Sequence, residues 1–198
     1  MCGVGGVYLP GASVLSDRHR AALATMGSEM ALRGPDDESF YTSGGLGLVH
    51  RRLAIVDPHP RSNQPMESAG WVLCYNGEIY NFRGIRDRIG ARFTFETDSD
   101  SEVLLAALEV LGLEETLRLA AGMFAFLAYN KAEQALYGVR DPLGIKPLLM
   151  CRLGDGAFAF ASSVAALAAA GERRALTVDA DAIASFFALG AVASGGTA

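Results

Sequence analysis

The sequence predicts an α+β fold, with sheets and helices in separate layers. Many strand-like runs are joined by only several helical ones, and the two kinds do not alternate in regular βαβ order, which excludes a doubly wound parallel sheet. The chain has 198 residues, 51% of them hydrophobic and 20% charged, enough apolar material to bury a full core as one domain. Glycine- and proline-rich turns such as Pro10-Gly11 and Gly154-Asp155-Gly156 separate the runs.

Taken in order, Gly3 to Leu9 reads as a buried strand. Ser16 is positioned to cap a helix carrying Leu23, Met26 and Met30 at helical spacing and stopped by Gly34-Pro35; the methionines read as core. Leu46 to His50 and Leu53 to Val56 are expected strands, and the proline-rich Asp57 to Gly70 segment is a loop long enough to cover a site. Trp71 to Tyr75 reads as a strand running into an Asn76-Gly77-Glu78 turn. Asn81 then caps a helix over Phe82, Ile85 and Ile89, ended by Gly90. Arg92 to Glu96 alternates like a half-buried strand, and Ser99 with Glu102 forms a capping-box pattern before Val103, Leu104, Leu108 and Leu111. Further strands are expected at 122–129, 135–140, 147–151 and 157–161, and helices at 163–169 and 179–189.

A formal net charge of −5 and the lack of a basic stripe exclude nucleic acid and anionic lipid as partners. The pairs Arg51-Arg52 and Arg173-Arg174 are too short for that work. No apolar run reaches membrane-spanning length and no signal-peptide pattern follows Met1, so the expected compartment is cytoplasmic. Three cysteines, Cys2, Cys74 and Cys151, fit reduced thiols, and no metal-ligand spacing appears.

Cys2 opens the first apolar run. Once Met1 is removed it carries its own base, because an α-amino group titrating at roughly 7.7 to 8.0 can take the thiol proton directly or through water. That is the logic of an N-terminal-nucleophile hydrolase. Such a nucleophile needs a grip on charged substrate ends and donors for an oxyanion. Strand alternation sends Arg51 and Arg52 to opposite faces, so one of them enters a pocket and can hold a carboxylate with two parallel hydrogen bonds. Asn76-Gly77 can present a side-chain and a backbone N–H toward one point, and Asp100 can receive an ammonium group. Each has a plainer reading: Arg52 as a surface charge, Asn76-Gly77 as an ordinary turn, Asp100 as a helix-start acid. A papain-like pairing of Cys74 or Cys151 with His50 or His59 is the other nucleophilic arrangement the residues allow.

Eight motifs then match one family in order: Cys2-Gly3; Arg33-Gly34-Pro35-Asp36; His50 to Asp57; Asn63-Gln64-Pro65-Met66; Tyr75 to Asn81; Asp98 to Glu102; Gly122 to Phe126; and Arg140 to Leu148. The sequence resembles the glutaminase domain of class II glutamine amidotransferases, in the asparagine synthetase branch, and Arg-Gly-Pro-Asp distinguishes that branch from the phosphosugar and purine branches. The resemblance implies an Ntn-hydrolase αββα sandwich, two stacked antiparallel sheets between helical layers. It also implies that Cys2 is the nucleophile, that Asn76 and Gly77 form the oxyanion hole, and that Arg52 holds the α-carboxylate of glutamine. Glu78 and Asp100 would receive the α-amino group, and the backbone of Leu53, Ala54, Ile55 and Val56 would line the pocket. The implied reaction releases ammonia from glutamine with no metal or cofactor in this chain.

The chain departs from the family in two places. Leu32 stands where histidine often precedes Arg-Gly-Pro-Asp, a difference that touches packing more than chemistry. Residues 1–190 are expected to form the amidotransferase domain and 191–198 a flexible tail or linker stump, with no synthetase domain; Ser194-Gly195-Gly196 only superficially matches the start of a pyrophosphate loop. ATP and magnesium are expected only in a synthetase domain or subunit that would receive the ammonia. A homo-oligomer is compatible with the sequence, and the alternative function is a catalytically inactive scaffold of a synthetase complex.

Overall fold

The computed structural model describes residues 1–171, 179–190 and 192. Its strands are β1 (Gly3–Tyr8), β2 (Asp37–Ser43), β3 (Leu46–Arg52), β4 (Met66–Glu67), β5 (Trp71–Ile79), β6 (Gly122–Asn130), β7 (Ala135–Arg140), β8 (Leu149–Arg152) and β9 (Phe158–Ala161). The helices are α1 (Asp17–Glu29), α2 (Phe82–Ile89), α3 (Asp100–Leu111), α4 (Leu113–Leu119), α5 (Val164–Ala170) and α6 (Ala180–Leu189). One sheet runs β2-β3-β1-β9-β8 and the other β4-β5-β6-β7, every pairing antiparallel.

Three apolar clusters define the layers. Val4, Leu46, Leu48, Val72, Cys74, Leu127 and Phe160 pack between the two sheets. Val7, Val49 and Ala159 meet Leu23 and Met26 of α1 and Ala166 of α5 on the outer face of the first sheet. Leu73, Tyr75 and Phe126 meet Ile85 of α2 and Leu104 and Leu108 of α3 on the outer face of the second. The result is an αββα sandwich, as expected. Period-two alternation divides neighbours such as Phe126 and Leu127 between the two interfaces, each worth roughly 1.5–3 kcal/mol of burial.

The helix starts are local chemistry. Ser16 Oγ accepts from the His19 N–H, Ser99 Oγ from Glu102, Ser163 Oγ from Ala166, and Asp179 from Asp181 and Ala182. The expected capping box at Ser99 is half formed. Glu102 turns its carboxylate to the N–H groups of Glu96 and Thr97 instead of back to Ser99. Asn81 precedes α2 without a side-chain cap, because its amide bridges Leu119 O and Ala121 N–H.

Four expectations are corrected. Helix α1 ends at Glu29, earlier than Gly34-Pro35, because Arg33 turns back to donate to Cys2 O, and Gly34 crosses the Arg51 backbone so closely that a Cβ would lie 2.3 Å from its carbonyl carbon. Leu53–Val56 is not a strand: the Leu53 N–H meets Cys2 Sγ and the Ala54 N–H meets Asp36 Oδ2, so no ladder forms. Asn76-Gly77-Glu78 is not a turn, since β5 continues through it, paired with β6 to Ile79. Residues 92–96 keep their alternating burial at Phe93 and Phe95 without a strand partner. Strands β2 and β4 and helix α4 are additions, β4 lying inside the segment 57–70 expected as a loop. The tail residues 193–198 and the Arg173-Arg174 pair lie outside the described residues, among which no helix is long and apolar enough to cross a membrane.

Candidate active site

Alternation along three strands brings one set of side chains to the same place. On β3, Leu46, Leu48, His50 and Arg52 share the face toward the second sheet; on β5, Val72, Cys74, Asn76 and Glu78 share the face toward the first. Cys2 stands one residue before β1, two before the inward Val4. At this end the inner faces turn from apolar to polar, and a cavity of about 80 Å³ opens, lined by Cys2, Arg52, Leu53, Asn76, Gly77 and Glu78 among others. Ile55, Val56 and Asp100 also line it. Ala54 does not, its N–H being held 2.8 Å from Asp36 Oδ2 outside the cavity.

The Cys2 thiol is held by the backbone of one residue, with the Leu53 N–H donating to Sγ at 3.4 Å and the thiol donating to Leu53 O at 3.7 Å. Arg33 Nε donates to the Cys2 carbonyl at 3.2 Å, so the Arg-Gly-Pro-Asp segment braces both Cys2 and the Arg52–Ala54 stretch. Facing the thiol side, Asn76 is 2% exposed and its Nδ2 has no hydrogen-bond partner among the described residues. A buried amide N–H₂ without an acceptor costs about 1–3 kcal/mol, a cost that points to an oxygen it meets only in use. Gly77 is next to it, and only glycine fits: a Cβ would stand 2.4 Å from Met123 O. The N–H groups of Tyr75 and Ile79 point to the strand edge away from β6, to Gln64 and Asp100, so by alternation the Gly77 N–H points to that edge too, where no described residue takes it.

Arg52 is buried, and its guanidinium donates to His59 O, Asn63 Oδ1 and Asp57 O at 3.0, 2.6 and 2.6 Å. It thereby ties the 57–63 loop over the cavity while two of its five N–H groups, on Nη2 and Nε, have no partner among the described residues. Asp57 turns that loop with φ 45°, and the Asp98 N–H above all holds its carboxyl below the usual range. Arg51 faces the other way, donating to Gly27 O and pairing with Glu38. Asp100 Oδ2 accepts from the Tyr75 hydroxyl at 2.6 Å and the Ile79 N–H at 2.9 Å. Burial, then the charge of Asp100, pushes the Tyr75 phenol upward, so it stays a donor.

The papain-like alternative finds no pair: no cysteine bonds a histidine among the described residues. Cys74 donates to Val49 O, and burial pushes its thiol up. His50, also fully buried, has its pKa pushed down to about 4 by desolvation, and the resulting neutral ring donates Nε2–H to Tyr75 O at 3.1 Å. Sequence reasoning gave no role to Arg33, Gln64, Tyr75, Ser101 or Lys146, of which the last four line the cavity. All five lie inside the quoted motifs, so the signal was present without a function attached.

Residues 1–197 match the sequence model of the glutamine amidotransferase domain family. The chain belongs to that family. It is similar to asparagine synthetase [glutamine-hydrolyzing] 1 of Bacillus subtilis, 38% identical over 166 residues, covering 82% of this chain and 26% of the relative. It is likewise 38% identical to asparagine synthetase B of Escherichia coli over 84% of this chain and 30% of the relative. A putative asparagine synthetase of Methanocaldococcus jannaschii is 30% identical over 98% of the chain and 40% of its own length. This amidotransferase domain is therefore of the asparagine synthetase type, and the chain spans well under half the length of these relatives.

Proposed function

We propose that the domain hydrolyses glutamine to glutamate and ammonia through a γ-glutamyl thioester on Cys2. The observation that carries this reading is the convergence on one cavity of the Cys2 thiol, the unpartnered Asn76 amide and the open Gly77 N–H. Removal of Met1 frees the Cys2 α-amine, which takes the thiol proton as sulfur attacks the amide carbon. The carbonyl oxygen gains a full charge as the C–S bond forms, and Asn76 Nδ2–H and Gly77 N–H receive it. The protonated amine then gives its proton to the departing nitrogen, ammonia leaves, and the amine deprotonates the water that cleaves the thioester to glutamate and free thiol.

Recognition uses the opposite end of glutamine. Arg52 offers its two remaining N–H groups to the α-carboxylate, and Glu78 and Asp100 face the α-ammonium; Leu53, Ile55 and Val56 form the wall between. The ammonia would pass to an ATP-dependent domain or subunit of asparagine synthetase type, a step supported by the names of the relatives and by the share of their length the chain spans. The test is ammonia release from glutamine by protein shown by intact mass to lack Met1, against protein that retains it. Activity confined to the Met1-free form is the expected result. Equal activity in both overturns the role of the α-amine.

A further inference from the structure

We propose that Gln64 is a positioning residue of the oxyanion site, its side-chain amide standing in for an absent neighbouring strand along β5. The inference rests on the glutaminase reading above and concerns how its donors are held in place.

Strand β4 pairs with β5 only at Met66↔Leu73 and Glu67↔Val72. Beyond Leu73 the edge of β5 has no strand beside it among the described residues, and open backbone groups there must find other partners. Three side chains, from the segment before β4, from β3 and from α3, supply them. Gln64 Oε1 accepts the Tyr75 N–H at 2.6 Å, His50 Nε2 donates to Tyr75 O at 3.1 Å, and Asp100 Oδ2 accepts the Ile79 N–H at 2.9 Å. Tyr75 and Ile79 bracket Gly77, so the edge is pinned on both sides of the N–H left open. Gln64 is itself buried, and its Nε2 lies 3.4 Å from Ser101 Oγ in the first turn of α3, which fixes which way its amide faces. It lines the same cavity as Cys2 without being needed to touch the substrate's charged ends.

An oxyanion donor works only within a few tenths of an ångström of its place, and a shift near 1 Å costs up to about 100-fold in rate. Gln64→Met keeps the volume but orphans the Tyr75 N–H, so the edge slackens beside Gly77. Gln64→Glu keeps an acceptor for Tyr75, and the Ser101 hydroxyl can rotate to donate to its second oxygen. The experiment measures kcat and KM for glutamine and the inhibition constant of glutamate on Met1-free full chain, with thermal unfolding as the check on folding. Gln64→Met is expected to lower kcat about 10- to 100-fold while KM and the glutamate constant stay within about two-fold; Gln64→Glu restores most of kcat. Should Gln64→Met not fold, Gln64→Asn, which withdraws the amide by one methylene, carries the same test. A folded variant with kcat within about two-fold of wild type, or one losing glutamate affinity as much as kcat, overturns the proposal. Wild-type protein with no turnover overturns the glutaminase reading itself.

Discussion

The two ends of the layer between the sheets are built from the same strands and the same faces, yet one is close-packed and the other opens into the candidate site. At the closed end Val4, Leu46, Leu48, Val72, Cys74 and Leu127 interlock without exposure. Two to four residues further along each strand the same alternation delivers Cys2, Arg52, Asn76 and Glu78, and the sheets part around a cavity. The comparison teaches that the site is a continuation of the core pattern with polar residues substituted at its last positions. Strands β3 and β5 therefore place Arg52, Asn76 and Gly77, while the 53–56 segment holds the Cys2 thiol and forms part of the cavity wall.

The sharpest way to test this contrast is to make one change at each end. Cys2→Ala should reduce glutamine hydrolysis to background with an unchanged unfolding temperature, whereas Cys74→Ala should retain most activity and lose stability through the small cavity it leaves. Asn76→Ala comes next, expected to lower kcat about 10²- to 10³-fold with little change in KM, because the amide meets its acceptor only as charge develops. Arg52→Lys should raise KM for glutamine at least ten-fold, since it loses the planar fork and also releases the 57–63 loop from its three tethers. Arg51→Lys, on the helix side of the same strand, should leave both constants within about two-fold.

Much of this was legible because period-two alternation does not depend on knowing where a strand ends. Alternation puts Arg51 and Arg52 on opposite faces and the family resemblance implies that Arg52 is the inward one; both hold although the arginines end β3 and do not open a strand at Leu53–Val56. The Asn76-Gly77 dipeptide was misread because it carries the usual turn composition. Its glycine serves close strand approach, with Met123 O and Phe124 leaving no room for a Cβ, and no turn is made. Strand β2 was missed because both its faces are largely polar, as suits an edge strand. The role of Gln64 was invisible because a side chain replacing a strand partner leaves no periodic trace.

A separate effect, on stability and not on turnover, concerns His50, at the boundary between the two ends. Its folded pKa of about 4 lies below the ordinary value of 6.5, so the unfolded chain binds the extra proton first as pH falls. Stability is then fully present above about pH 6.5 and declines toward pH 4, by an amount on the order of 3 kcal/mol. His50→Gln, which keeps a donor for Tyr75 O, should flatten urea-unfolding free energies across that window. The carboxyl of Asp141, pushed up by burial but on balance held below its ordinary value by four backbone N–H groups, adds its own loss only below the ordinary carboxylate range.

The central claim, that the thiol at the polar end of the inter-sheet layer is the nucleophile, is tested most directly by labelling Met1-free protein with a diazoketone analogue of glutamine and mapping the adduct by peptide mass. The account predicts one adduct, on Cys2, formed in step with loss of glutaminase activity and slowed by glutamine. An adduct on Cys74 or Cys151 that tracks the loss of activity, or labelling of Cys2 indifferent to glutamine, would contradict it.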